Sequence, residues 1–267
     1  MGAVCGRIAI GGGEAGIGKT TLLEEFARQV ADRCEVHWGW CEALFTPRAL
    51  GPLQDMAGEI DPYLPGLLRD SASQDRIFPA LLNALQDATK PRVLIFEDVH
   101  WADHATLDLL KFLGRRIVLL PVMLVLSART DEILAGHPIF RILGDLPTAL
   151  TQRVRLEPLS LDGVAGLAAS SGLPAADLFR ITAGNPFFVT ELITNHPTAG
   201  EKVPESVRDA VWSRLARLTP LQRELLETMS IAPGGVELWL VNALLENADA
   251  TIDECVARQF IIRDNEE

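Results

Sequence analysis

Gly13-Glu14-Ala15-Gly16-Ile17-Gly18-Lys19-Thr20, with Thr21 directly behind it, is the stretch from which the architecture can be read. It matches GxxxxGK[ST] and stands between a strand-like run, Arg7 to Gly11, and a helical run, Thr20 to Ala31. In that setting the glycines let backbone N–H groups turn inward, and the helix start completes an anion nest. Lys19 then reaches the β- and γ-phosphates of a nucleotide, and the Thr20 hydroxyl ligates Mg²⁺. Gly11, Gly13 and Gly16 also satisfy GxGxxG, with Asp32 or Glu35 about 20 residues on, as in a dinucleotide-binding fold. That pattern gives Lys19 and Thr20 no task, so the phosphate loop is preferred.

Outward from the loop, short β-rich runs alternate with helical ones as far as residue 156. The strand candidates are Arg7 to Gly11, Glu35 to Trp40, Val93 to Glu97, Val122 to Ser127 and Val154 to Leu156. Two of them, VLIF and VMLVL, are continuous apolar runs, as expected of strands buried on both faces of a parallel sheet. Helices are predicted at Thr20 to Ala31, Gln74 to Ala88 and Ala105 to Ile117; in the second, Ile77, Leu81, Leu85 and Ala88 form one apolar stripe. The alternation predicts a doubly wound α/β domain with helices on both faces of its sheet.

Val93 to Phe96 runs into Glu97-Asp98, two carboxylates whose burial is costly unless they meet water or cations. Beside a phosphate loop such a pair suits a Mg²⁺ ligand and a group that orients the attacking water. Glu97 is assigned to the metal and Asp98 to the water, with the exchange of roles left open. Val122 to Leu126 ends in Ser127-Ala128-Arg129, and Arg129 is a candidate to touch the γ-phosphate, because a guanidinium fork matches phosphate oxygens.

The chain of 267 residues is long enough for about two domains. A hydrophobic share of 48% with 22% charged residues is that of a soluble globular protein. A formal charge of -12 repels phosphate backbones and acidic lipid, so no direct nucleic-acid or membrane partner is expected. Cys5, Cys34, Cys41 and Cys255 lack metal-ligand spacing and read as reduced thiols of a cytoplasmic protein. The longest apolar run, Ile117 to Leu126, contains Pro121 and falls short of the ~18 residues of a membrane span. The first ten residues, MGAVCGRIAI, carry neither a leader nor a myristoylation pattern.

After Pro158 helical signals dominate, with stops at Gly172-Leu173-Pro174, Gly184-Asn185-Pro186 and His196-Pro197. Asn185-Pro186 reads as an N-cap with proline at the first helical position. Thr219 to Gln222 and Thr251 to Glu254 read as capping boxes. Val207, Val211, Leu215 and Leu218 line one helix face. Phe260-Ile261-Ile262 is strand-like, followed by a hairpin-turn signal at Asp264-Asn265. From residue 201 onward seven basic residues face thirteen acidic ones, which favours protein over nucleic acid as a partner.

VLIFEDVHWAD (Val93 to Asp103), GEAGIGKT, CEALFTPRALGPL (Cys41 to Leu53) and AGNPFFVTEL (Ala183 to Leu192) together resemble the NTPase region of large ATP-binding LuxR-type transcriptional regulators. These belong to the STAND class of P-loop NTPases related to AAA+ proteins. The resemblance implies a five-stranded core over 1–158, a helical lid over 159–203 and a winged helix over 204–267 that the chain leaves incomplete, as in a piece of a longer regulator. It implies ATP and Mg²⁺ as ligands, with Gly13, Glu14, Ala15, Gly16, Ile17, Gly18, Lys19, Thr20 and Thr21 around the phosphates. Glu97 and Asp98 form its acidic pair, Arg129 its sensor, and Pro186 meets the base from the lid. Glu97 stands where many relatives carry Asp. Asp103 reads as the N-cap of the next helix and Trp101 as packing. The function expected is a switch, with slow Mg-dependent ATP hydrolysis resetting it and self-association or a regulatory protein as its partner. The rivals are an AAA+ or origin-recognition-like ATPase acting on nucleic acid or protein, an ATPase module coupled to a nucleotide cyclase, and an inert remnant.

Overall fold

The computed structural model describes residues 6–70, 72–133, 136–195, 208–209, 211–212, 215–216, 218–232, 235–245, 248–257, 260–261 and 263. The chain forms two compact units, Met1–Glu157 and Pro158–Glu267. In the first unit β1 (Arg7–Gly13) leads through the glycine-rich loop into α1 (Lys19–Val30), and β2 (Glu35–Trp40) follows. Three helices come next, α2 (Gly51–Ile60), α3 (Leu64–Arg69) and α4 (Gln74–Gln86), and then β3 (Arg92–Glu97). The unit continues with α5 (His104–Gly114), β4 (Val122–Arg129), α6 (Ile139–Asp145) and β5 (Thr151–Arg155).

All neighbouring strands pair in parallel, in the order β2-β3-β4-β1-β5. Alternation along β3 explains the two-sided burial. Val93 and Ile95 pack with Leu23, Phe26 and Val30 of α1 on one face. Leu94 and Phe96 join Leu53 of α2, Leu81 of α4 and Leu110 of α5 on the other. The order places β3, β4 and β1 inside the sheet and their carboxyl ends side by side, the usual location of a ligand site in such sheets.

The five strands lie where the sequence reading expects them, with shifted ends: β3 begins one residue earlier, β1 and β4 run two residues further, and β5 spans Thr151–Arg155 in place of Val154 to Leu156. The predicted stripe of α4 is buried at Ile77, Leu81 and Leu85, whereas Ala88 lies beyond the helix end.

The second unit contains α7 (Leu161–Ala168), α8 (Ala175–Thr182), α9 (Pro186–Asn195) and three further helices at Pro220–Ser230, Leu238–Leu244 and Ala248–Ala257. Val164, Leu178 and Val189 centre one apolar cluster, and Leu225, Val241, Ile252 and Cys255 centre another. α9 starts at Pro186, and the Asn185 carboxamide oxygen accepts from the Phe187 amide, as the cap reading expects. The Thr219 box is complete, both of its reciprocal bonds being present.

Two expectations are corrected. Thr251 does not open a helix: that helix begins at Ala248, and the Glu254 carboxylate is engaged by the Gln222 amide at 2.7 Å instead of turning back on its own helix. Phe260-Ile261 is a bend, not a strand. The Phe260 amide donates to the Cys255 carbonyl, and both side chains pack on the last apolar cluster. Among the described residues no strand follows Arg155, so the described part of 204–267 consists of helices and turns and shows no wing, contrary to expectation. The Asp264-Asn265 turn and Val207 lie outside the described residues.

Candidate functional site

The phosphate loop leaves β1 at Gly13 and enters α1 at Lys19. Gly16 and Gly18 have φ of 75° and 93°, the left-handed region that glycine enters without the Cβ penalty. Gly18 caps α1 with no side-chain hydrogen bond, and the first turn carries no acid. The helix start therefore keeps its N–H donors and partial positive charge for an external anion. Lys19 is buried, and its ammonium donates to the Gly13 and Glu14 carbonyl oxygens at 2.9 and 2.7 Å. Two of its three donors are thus accounted for by the loop, and the third suits a phosphate oxygen. Burial lowers the Lys19 pKa, Asp98 raises it and Arg129 lowers it again, so both strand-end residues lie within electrostatic reach of the ammonium.

Register brings the remaining groups to the loop. Gly13 pairs with Arg129 across β1 and β4, and Trp40 pairs with Glu97 across β2 and β3. The Thr20 hydroxyl donates to Glu97 Oε1 at 2.9 Å. Glu97 is 6% exposed, and burial holds its pKa above the usual carboxylate range while hydrogen bonds from Thr20 and Trp40 work against the rise. No cluster of three or more His, Cys, Asp or Glu able to hold a metal occurs among the described residues. A hydroxyl beside one carboxylate nevertheless fits Mg²⁺, which completes its shell with waters and nucleotide oxygens.

Asp98 has φ 53°, a left-handed conformation that Asp tolerates better than most residues, and its amide donates to the Ser127 hydroxyl at 3.0 Å. That bond joins the ends of β3 and β4. The Asp98 carboxylate is 3.7 Å from Arg129 Nη2. Arg129 does not stand alone: its Nη1 donates to Glu132 at 2.8 Å, and its guanidinium lies 4.7 Å from the Trp101 ring centre.

The structure therefore brings Gly13 to Thr21, Glu97, Asp98 and Arg129 to one end of one sheet. Pro186 belongs to the second unit, where it opens α9. Asp103 caps α5, accepting from Ala105 and Thr106, and it also accepts from the Leu50 amide, which ties VLIFEDVHWAD to CEALFTPRALGPL. Trp101 packs as expected but also donates to Glu132 at 3.0 Å. Sequence reasoning passed over Glu132 and His100. The i, i+3 spacing of Arg129 and Glu132 was the signal that could have found the first. Burial, then Asp103, Asp98 and Asp55, push the Cys41 thiol up to about 12, which disfavours its thiolate.

Residues 12–126 match the family model described as AAA ATPase domain, a span that includes the loop and both acids and covers under half of the chain. An uncharacterized protein of Rhizobium meliloti (strain 1021) is 27% identical over 312 residues, covering 90% of this chain and 29% of that protein. The chain thus spans under a third of the curated relative it matches. Among solved structures, a STAND protein with a tetratricopeptide repeat sensor from Pyrococcus horikoshii gives 16% identity and a TM-score of 0.45, with 96% of this chain and 37% of that one covered. The RuvB Holliday junction branch migration motor of Thermotoga maritima gives 15% and 0.44, with 97% and 82% covered. Orc1 of Aeropyrum pernix, solved with DNA, gives 15% and 0.45, with 92% and 78% covered. At such scores these likenesses assign no partner or substrate to this chain. No helix among the described residues is long and apolar enough to cross a membrane.

Proposed function

We propose that the protein is an ATP-controlled switch. The observation that carries this reading is the contact of Thr20 with Glu97 beside a buried Lys19 at the start of α1. A phosphate cradle, a cation site and an acid thus meet at the ends of adjacent strands. Lys19 and the first-turn N–H groups hold the β- and γ-phosphates. Thr20 and Glu97 hold Mg²⁺, whose charge offsets that of the phosphoryl oxygens. Asp98 orients a water and accepts its proton, and Arg129 answers to the γ-phosphate. Slow hydrolysis resets the switch.

The four sequence stretches that resemble LuxR-type STAND regulators support that regulatory setting. The excess of thirteen acids over seven bases from residue 201 onward supports a protein partner or self-association in place of direct nucleic-acid contact, and a cytoplasmic setting accords with both. Asn tolerates left-handed backbone as Asp does, so Asp98→Asn preserves the turn. We expect this variant to bind Mg-ATP like the wild type while its turnover, read as phosphate release, drops by about a hundredfold or more. Equal turnover in the two proteins would remove Asp98 from the chemistry.

A further inference from the structure

We infer that Glu132 is the residue that positions Arg129 for the nucleotide; this rests on the switch reading above. Arg129 is set opposite Gly13 by the sheet register, but register alone does not orient a long, rotatable side chain. Glu132 supplies the missing constraint. Its side chain is 10% exposed and sits in the short turn after β4. One carboxylate oxygen accepts from Arg129 Nη1 at 2.8 Å, and the other accepts from the Trp101 indole at 3.0 Å. The same indole lies against the guanidinium, 4.7 Å from ring centre to Cζ. One edge and one face of the guanidinium are thereby fixed, and Nη2 is left towards Asp98 Oδ2, 3.7 Å away at the end of β3.

His100 belongs to the same arrangement. The Arg129 amide donates to His100 Nδ1 at 3.3 Å, which places the ring proton of the neutral imidazole on Nε2. That nitrogen is buried, makes no hydrogen bond of good geometry, and lies 3.4 Å from Glu132 Oε2. His100 and Trp101 of the VHWAD stretch therefore both face the carboxylate that holds Arg129. This gives the motif a task beyond packing: it seats Glu132, and Glu132 seats the arginine.

A positioning residue acts only through the group it positions, which a double-mutant cycle can read. Mg-ATP and Mg-ADP are titrated calorimetrically into the full chain as wild type, Glu132→Gln, Arg129→Ala and the double variant. Gln preserves volume and an acceptor for Trp101 while removing the charge. We expect the preference for ATP over ADP to fall about tenfold in Glu132→Gln, the scale of one charge-assisted hydrogen bond, with the ADP affinity unchanged. Arg129→Ala should lose at least as much, and the double variant no more than Arg129→Ala alone. A wild-type preference in Glu132→Gln, a higher one, or a further loss in the double variant would each overturn the inference. Should Glu132→Gln fail to fold, Glu132→Asp keeps the charge on a shorter arm and should lose part of the preference; full retention counts against the proposal. A wild type that takes up neither nucleotide defeats the switch reading itself, and this inference with it.

Discussion

The Glu97 carboxyl sits at the end of β3 with burial raising its pKa, which makes it a measurable cost of the site. A carboxylate whose folded pKa lies above its unfolded one contributes most to stability while it is protonated, below the ordinary Glu pKa of about 4.3. That contribution is lost as pH rises through the folded value. Glu97→Gln keeps the shape and still accepts from Thr20, so in Mg-free buffer we expect it to melt higher than the wild type at pH 7 and equally near pH 4. A wild type at least as stable at pH 7 would mean that the carboxylate is not penalised. The position of Glu97 was legible in the sequence because an apolar run ending in two acids is hard to place anywhere but a strand end. Its bond to Thr20 was not, since it joins residues 77 apart and depends on a register that no local pattern encodes. Glu132 was missed for a related reason: its meaning lies in Trp101 and His100, brought to it by the pairing of β3 and β4.

Elements follow the sequence where one signal dominates and drift where tertiary contacts compete. β3 and β4 have continuous apolar centres, VLIF and VMLVL, and both lie where they were expected to within two residues at either end. β5 is an edge strand, TQRVR, exposed along most of its length, and its start carries no apolar signal. The box at Thr251 failed because Gln222 claims Glu254, a contact between distant helices. The turn between α8 and α9 offers two opposite predictions at adjacent residues. Ala183 is left-handed, with φ 49°, at the C-terminus of α8, where glycine is the usual residue. Ala183→Gly should stabilise the protein by about 1 kcal/mol in urea titration. Gly184 has φ 77°, and a Cβ there would be driven into the Leu159 carbonyl, whose own amide bonds to the Gly184 oxygen at 2.9 Å. Gly184→Ala should destabilise by several times that amount, about 3 kcal/mol. If Ala were tolerated there, the close approach of Leu159 would not be a constraint. The glycine of the GNPFF motif thus has a structural reason, independent of any nucleotide.

At the scale of the whole molecule, the acidic charge of -12 and the change from alternating to helical signals after Pro158 are both legible in the sequence. The wing expected over 204–267 has no strand among the described residues, because a short strand-like run such as Phe260-Ile261 needs a partner strand to become one. The proposed switch turns on a single event, the capture of Mg-ATP by the loop between β1 and α1. A ligand that binds only the folded chain stabilises it by about 2.7 kcal/mol at a hundredfold excess over its Kd, so capture also registers as a rise in melting temperature. The most direct measurement is a calorimetric titration of Mg-ATP into the wild type and into Lys19→Ala, with both shown by melting to be folded. The account predicts saturable binding at one site in the wild type and its loss, or a weakening of about a hundredfold or more, in the variant. Equal affinity in the two proteins would contradict it.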